Sequence, residues 1–266
     1  MILAFIFGGL CGIALGLTGG GGSILAVPML VYGIGLPFHQ AVIISLMVVG
    51  LIALSGVVSR FNSSEVNILV AFIMAVGGIL GAPLGSYINV MLPDAWLMGL
   101  FSCLMIGVGI WTLLKKSNQA IRHTTGKGCR YTDNGRLILQ TRCQITIIIA
   151  GIVTGFLTGL FGVGGGFLIV PALLIVAKMP IKTAITTSLF VIFLMSTLAF
   201  ASHLLTGVMI NWLIAIGFIL GGIIGMAGTL QVKDRLNGAT IQQLFAILIL
   251  LLGGIFLAIT LFSSMP

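Results

Sequence analysis

The run Gly16-Leu17-Thr18-Gly19-Gly20-Gly21-Gly22-Ser23-Ile24-Leu25-Ala26-Val27-Pro28 returns 143 residues later as Gly159-Leu160-Phe161-Gly162-Val163-Gly164-Gly165-Gly166-Phe167-Leu168-Ile169-Val170-Pro171. Nearly every glycine matches, and so do both leucines and the proline. The same offset lays Pro37 on Pro180, Ala41 on Ala184, Ser45-Leu46 on Ser188-Leu189, and Gly8 and Gly12 on Gly151 and Gly155. One residue is then inserted, and an offset of 144 sets Asn67 on Asn211, Gly77-Gly78 on Gly221-Gly222, Gly81 on Gly225 and Phe101 on Phe245. Self-similarity at a nearly fixed spacing marks a duplicated structural unit. The chain therefore divides into a first repeat, 1–114, a polar linker, 115–142, and a second repeat, 143–266.

The solvent of this fold follows from its charge. Only 6% of residues are charged and 59% are hydrophobic, with a mean hydropathy of +1.29. Four acids and twelve bases cannot cover a chain of 266 residues with polar surface, so lipid must be its outer solvent. The apolar runs Ala41 to Val58, Ile68 to Leu84, Trp96 to Leu114 and Thr183 to Leu205 approach the ~20 residues that cross a bilayer as helix. Nothing alternates in the manner of a barrel strand, and lipid tolerates no unpaired backbone, so the expected fold is an all-α polytopic membrane protein.

Bases stay in the cytoplasm near span ends. The linker, Lys115 to Arg142, holds seven of the twelve bases and one acid, Asp133. With this loop inside, Arg60, Lys178, Lys182, Lys233 and Arg235 also fall inside, while His39 and His203 fall at outer span ends as interfacial residues. Both termini are then outside. The head of each half is short: residues 2–17 and 24–36 reach about 24 and 20 Å at 1.5 Å per residue. Each pair reads as a hairpin of short helices with its glycine tip inside the membrane, followed by three spans. An odd number of crossings turns the second half upside down. Inverted repeats with a midplane site at broken helices are transporter architecture.

No acid or base falls inside an expected span, so cargo must be held otherwise. Helices starting near Ser23 and Gly166 would aim unpaired N–H groups and a positive dipole end at the tips. Glycine lets backbone approach a ligand closely. A small anion could sit on these amides and nearby hydroxyls. The candidate binding residues are Gly19, Gly20, Gly21, Gly22, Ser23, Ser45, Gly162, Gly164, Gly165, Gly166, Thr187 and Ser188. Pro28 and Pro171, early in these helices, would loosen the tips. The plainer alternative is close packing, the reading given to Gly8/Gly12/Gly16, Gly77/Gly81/Gly85 and Gly217/Gly221/Gly225. Hydroxyls in spans also bond their own helix carbonyls, and Asn67 and Asn211 read as N-caps.

Other chemistries drop out. Cys11, Cys103, Cys129 and Cys143 lack metal-ligand spacing and read as free thiols. Gly162-Val163-Gly164 fails the dinucleotide pattern at Phe167, and no P-loop lysine follows either tip, so neither a cofactor nor an enzyme is expected. The basic linker has one aromatic, Tyr131, and no nucleic-acid module. Residues 1–17 lack the basic start of a secretory signal and read as mature structure.

The paired motifs G-L-T-G-G-G-G-S-I-L-A-V-P and G-L-F-G-V-G-G-G-F-L-I-V-P, each followed by a proline and A-x-x-x-S-L, resemble the sulfite exporter TauE/SafE family along essentially the whole chain. The resemblance implies export of sulfite, sulfoacetate or a similar organosulfonate across the bacterial inner membrane, with lipid as the other partner. A passive anion channel, a sodium-coupled symporter using glycine carbonyls and a non-transporting scaffold are the alternatives.

Overall fold

The computed structural model describes residues 1–60, 66–114, 130–131, 137–138, 141–161, 166–175, 177, 179, 181–204, 211–232 and, towards the C-terminus, 247, 250–251, 253–255 and 257. The first half runs α1 (Ile2–Thr18), α2 (Gly21–Pro28), a π-helical turn (Met29–Gly33), α3 (Phe38–Arg60), α4 (Ile68–Met91) and α5 (Asp94–Leu114). The second runs α6 (Thr141–Phe161), α7 (Gly166–Ile175), α8 (Ile181–Leu204) and α9 (Trp212–Val232). Within the linker, strand β1 (Arg130–Tyr131) pairs antiparallel with β2 (Leu137–Ile138), Arg130 opposite Ile138. The rest of the described fold is helical, as the apolar runs require.

Local chemistry sets the breaks. Gly19 ends α1 in the left-handed region, φ 73°, and its N–H bonds Leu15 O, the cap that glycine takes without a Cβ penalty. Asn67 caps α4, accepting from Val70 N at 3.2 Å, and Asn211 Oδ1 accepts from Ile214 N at 3.4 Å, as expected of both. Pro28 closes α2, and the helix widens into the π-helical turn behind it, the adjustment a missing N–H invites.

Among the described residues, five helices are long and apolar enough to cross a membrane. The short head of the first half is as expected, with α1 of 17 residues and an apolar helix over Gly21–Gly33. The second half departs from that expectation. Helix α6 has 21 residues and its segment Cys143–Phe161 is itself long enough to cross, because the helix starts in the linker's polar Thr141-Arg142 and gains a turn over α1.

Packing follows the repeat. Helices α3 and α8 lie centrally against each other, α1 packs on α9, and α4 packs on α6. The duplication matches α1 with α6 and α4 with α9, so each outer pair is the repeat counterpart of the other. Glycine makes both pairings possible. A Cβ on Gly8 or Gly12 would strike the carbonyl of Phe218 or Gly222, and one on Gly221 or Gly225 that of Phe5 or Gly9. In the other pair Gly77, Gly81 and Gly85 face the carbonyls of Ile148, Ile152 and Phe156. Backbones this close gain dispersion contact that lipid cannot match. Gly217 is looser, with Ala4 Cβ 3.5 Å from where its own would stand. The opposite faces present Phe5, Leu69, Phe72, Leu80, Leu220 and Ile224, all exposed, a surface suited to acyl chains.

Candidate functional site

The first glycine tip lies at the centre of the described structure and is wholly buried from Gly19 to Pro28. Its contacts divide its residues into two kinds. A Cβ on Gly20 would collide with Gly166 O, and one on Gly22 with Cys11 O and Leu15 N. These two glycines admit neighbouring backbone. Gly19 is close to backbone as well, with Ile185 Cα 2.9 Å from the position of a Cβ, and its O accepts from the Ser188 hydroxyl, while Gly21 N donates to Thr18 Oγ1 at 2.7 Å. Ser23 turns its hydroxyl back to Gly20 O at 2.7 Å.

Sequence-separated pieces meet at this tip. Gly166, the first residue of α7, has Gly20 Cα 2.9 Å from the position of a Cβ, so the amide ends of α2 and α7 abut. Ser188 joins them from α8, its Oγ within 2.9 Å of the position of a Gly19 Cβ. Thr187, one residue earlier, turns another way and accepts from Asn67 N at 3.0 Å, tying α8 to the head of α4. Ser45 is buried and bonds Val42 O at 2.8 Å on its own helix. Gly162, Gly164 and Gly165 lie outside the described residues.

Three features escape a reading by spans. Helix α3 extends to Arg60, which is buried and donates from Nη2 to Gly16 O at 2.8 Å. A base thus does lie inside a span-length helix, contrary to expectation. It is stabilised by the carbonyl-rich end of α1, where a cation complements the helix dipole. His203, expected at the interface, is 1% exposed, and its Nε2 lies 2.9 Å from Gly159 O. Asn89 donates to Leu160 O at 2.8 Å and its Oδ1 stands 3.2 Å from His39 Nδ1. His39 Nε2 is 3.3 Å from Asp94 Oδ1, an ion-pair distance without hydrogen-bond alignment. The offset that superposes the tips also lays Arg60 on His203, a signal that a search for charged spans overlooks.

The cysteine reading needs one change. Cys11 and Cys103 are free, Cys11 donating to Gly22 O at 3.0 Å, but Cys143 is disulfide-bonded.

The sequence has relatives. The family model for the sulfite exporter TauE/SafE matches residues 4–256. A probable membrane transporter protein of Xylella fastidiosa (strain Temecula1 / ATCC 700964) is 37% identical over 258 residues, covering 94% of this chain and 92% of its own. The probable membrane transporter protein YunE of Bacillus subtilis (strain 168) is 28% identical over 262 residues, 95% of each chain. A third, the probable membrane transporter protein MJ0441 of Methanocaldococcus jannaschii, is 49% identical over 57 residues, 21% of each chain. No solved structure matches.

Proposed function

Since the chain belongs to the sulfite exporter TauE/SafE family and is a multi-pass membrane transporter, we propose that it exports a small sulfur-containing oxyanion, sulfite, sulfoacetate or a similar organosulfonate. The abutment of the α2 and α7 amide ends at Gly20 and Gly166, with the Ser188 hydroxyl beside Gly19, carries this reading. Two helix N-termini converging on one place supply donors and positive dipole ends for an anion. The close fits at Gly20 and Gly22 favour packing there. Gly19 is likewise closed by Ile185 Cα, 2.9 Å from the position of its Cβ, so contact with the anion falls to Gly21, Ser23 and Ser188, and to Gly164 by the repeat.

The halves act as inverted repeats that rock about this site in the inner (cytoplasmic) membrane. The exchanged pairs α1 on α9 and α4 on α6 support a two-fold relation between the halves. The charge distribution favours both termini outside and the 115–142 loop inside. The disulfide at Cys143 pulls the other way, since disulfides are rare in the cytosol. Twelve bases on one side outweigh it.

Export of an anion needs no intramembrane carboxylate. With the interior negative, expelling one charge gains about 2.3 kcal/mol per 100 mV, roughly a fiftyfold gradient. Sulfite efflux from loaded proteoliposomes, with the potential set by a potassium gradient, tests this. Efflux should require the protein and grow with the interior-negative potential; indifference to both overturns the reading.

A further inference from the structure

Hydroxyls within these helices are ordinarily satisfied by their own backbone. Ser102, Thr158 and Thr197 each donate to the carbonyl four residues back, at 2.7, 2.8 and 2.7 Å. Ser196 in α8 and Ser86 in α4 depart from this habit. Both are buried, at 0% and 3% exposure, and neither Oγ has a hydrogen-bond partner. Thr197, one residue along α8, makes the bond that Ser196 lacks. A buried hydroxyl left unpaired costs about 1–3 kcal/mol.

The architecture does not require hydroxyls at these places. By the repeat, Ser196 corresponds to Ala53 and Ser86 to Leu230, so the other half fills both positions with apolar side chains.

Position supplies a reason. Ser188, Ile192, Ser196 and His203 follow one another on α8 at spacings of four, four and seven, which is one stripe of a helix. The stripe begins at the tips: Ser188 donates to Gly19 O, and Ile192 Cδ1 stands 2.5 Å from the position of a Gly166 Cβ. Ser196 lies one turn further. Across from it on α3 is the buried Gly50. Ser196 Cβ is 3.3 Å from the position of a Gly50 Cβ, and among the described residues no other atom of a facing helix is within 4 Å of it. The two central helices thus leave room beside Ser196. Helix α4 runs parallel to α8, since Asn67 meets Thr187 and Gly78 meets Met195. Eight residues further along both helices, this register brings Ser86 level with His203. Both meet α6 at Gly159: Ser86 N is 2.8 Å from the position of its Cβ, and His203 Nε2 is 2.9 Å from its O.

Resting on the reading that the tips hold an oxyanion, we propose that Ser196 and Ser86 are anion-contacting donors, successive stations between the tips and the His203 end of α8. At 1.5 Å per residue, Ser196 is about 12 Å along α8 from Ser188 and about 10 Å from the level of Ser86. The partner these hydroxyls lack within the protein is then the cargo. A neutral hydroxyl supports an anion more weakly than a fixed cation does, and conduction needs sites that bind and also let go.

Ser196→Ala and Ser86→Ala, made in the full chain, are compared with the parent for sulfite efflux from proteoliposomes and for melting temperature in detergent. Loss of a hydroxyl without a protein partner should leave the melting temperature unchanged or raise it. Efflux should fall on the order of tenfold or more in each variant, the loss expected for one hydrogen bond to a charged group. Ser196→Thr, which keeps the hydroxyl, should restore most of it. Thr197→Ala removes an exposed hydroxyl held by its own helix and should transport as the parent does. Parental efflux in either Ser→Ala variant overturns the proposal. So does a lowered melting temperature or a failure to fold, because the hydroxyl then serves a structural water or a packing contact. A parent that carries no sulfite removes the transport reading itself, whereas a transporting parent beside indifferent Ser→Ala variants removes only this inference.

Discussion

A glycine in a membrane helix costs about 1 kcal/mol relative to alanine, so its presence asks for a local reason. At Gly12 the reason is the Gly222 carbonyl, which occupies the place of a Cβ. At Gly228 nothing lies within 4 Å. Gly12→Ala should therefore destabilise by about 1–3 kcal/mol through overpacking, while Gly228→Ala should be neutral or slightly stabilising; melting temperatures in one detergent compare them directly. Equal melting points would mean that α1 and α9 can part without cost. Asn67→Ala should cost about 1 kcal/mol by removing the side-chain cap on Val70 N, a loss visible in the same assay. The Gly8/Gly12 and Gly77/Gly81/Gly85 ladders were legible in the sequence because spacing of four on an apolar helix has one common use. Arg60 and His203 were not. Their burial depends on where α1 and α6 end relative to α3 and α8, and hydropathy carries no information about which charged residue faces a helix terminus.

The hairpin of α1, α2 and the π-helical turn is the element on which the proposed site depends. The shortness of its helices was readable from the length of residues 2–17, the run of four glycines and Pro28. The close approach of Gly20 to Gly166 was readable too, as a consequence of duplication. The separate duties of adjacent glycines were not, because four identical residues give no hint which one faces a neighbouring backbone. That difference yields a test. Gly21 N donates to Thr18 Oγ1, and valine at Gly21 places a branched side chain where an oxyanion would meet the tip. Gly21→Val and its repeat equivalent Gly164→Val should abolish sulfite binding with the fold retained, whereas Gly22→Val, which strikes Cys11 O and Leu15 N, should lower the melting temperature first. Ser188→Ala should weaken anion binding by about 1–3 kcal/mol if its hydroxyl turns from Gly19 O to the cargo. Affinity and melting temperature, read on each variant, separate the two kinds of glycine. Normal affinity in folded Gly21→Val would move the site away from the tip.

At the scale of the whole molecule, the proposed topology has two separable parts, inversion from the repeat and orientation from the charge distribution. The bases fall on one side only if the two halves face opposite ways, since Arg60 closes α3 and Lys182 opens α8, its neighbour on the central axis. The exchanged packing of α1 on α9 and α4 on α6 agrees with a two-fold relation, and the disulfide at Cys143 is the one feature that sets the linker's compartment in question. Single cysteines at Asn118 and Ser264, in a chain whose four native cysteines are replaced by serine, separate these arguments. An impermeant maleimide applied to intact cells should label Ser264→Cys and leave Asn118→Cys untouched until the membrane is opened. Labelling at both positions from outside would mean an even number of crossings between them, and the second half would lose its inversion. Labelling at Asn118→Cys alone would keep the inversion but reverse the molecule, placing the bases outside and the Cys143 disulfide at the head of α6 in the oxidising compartment where disulfides persist.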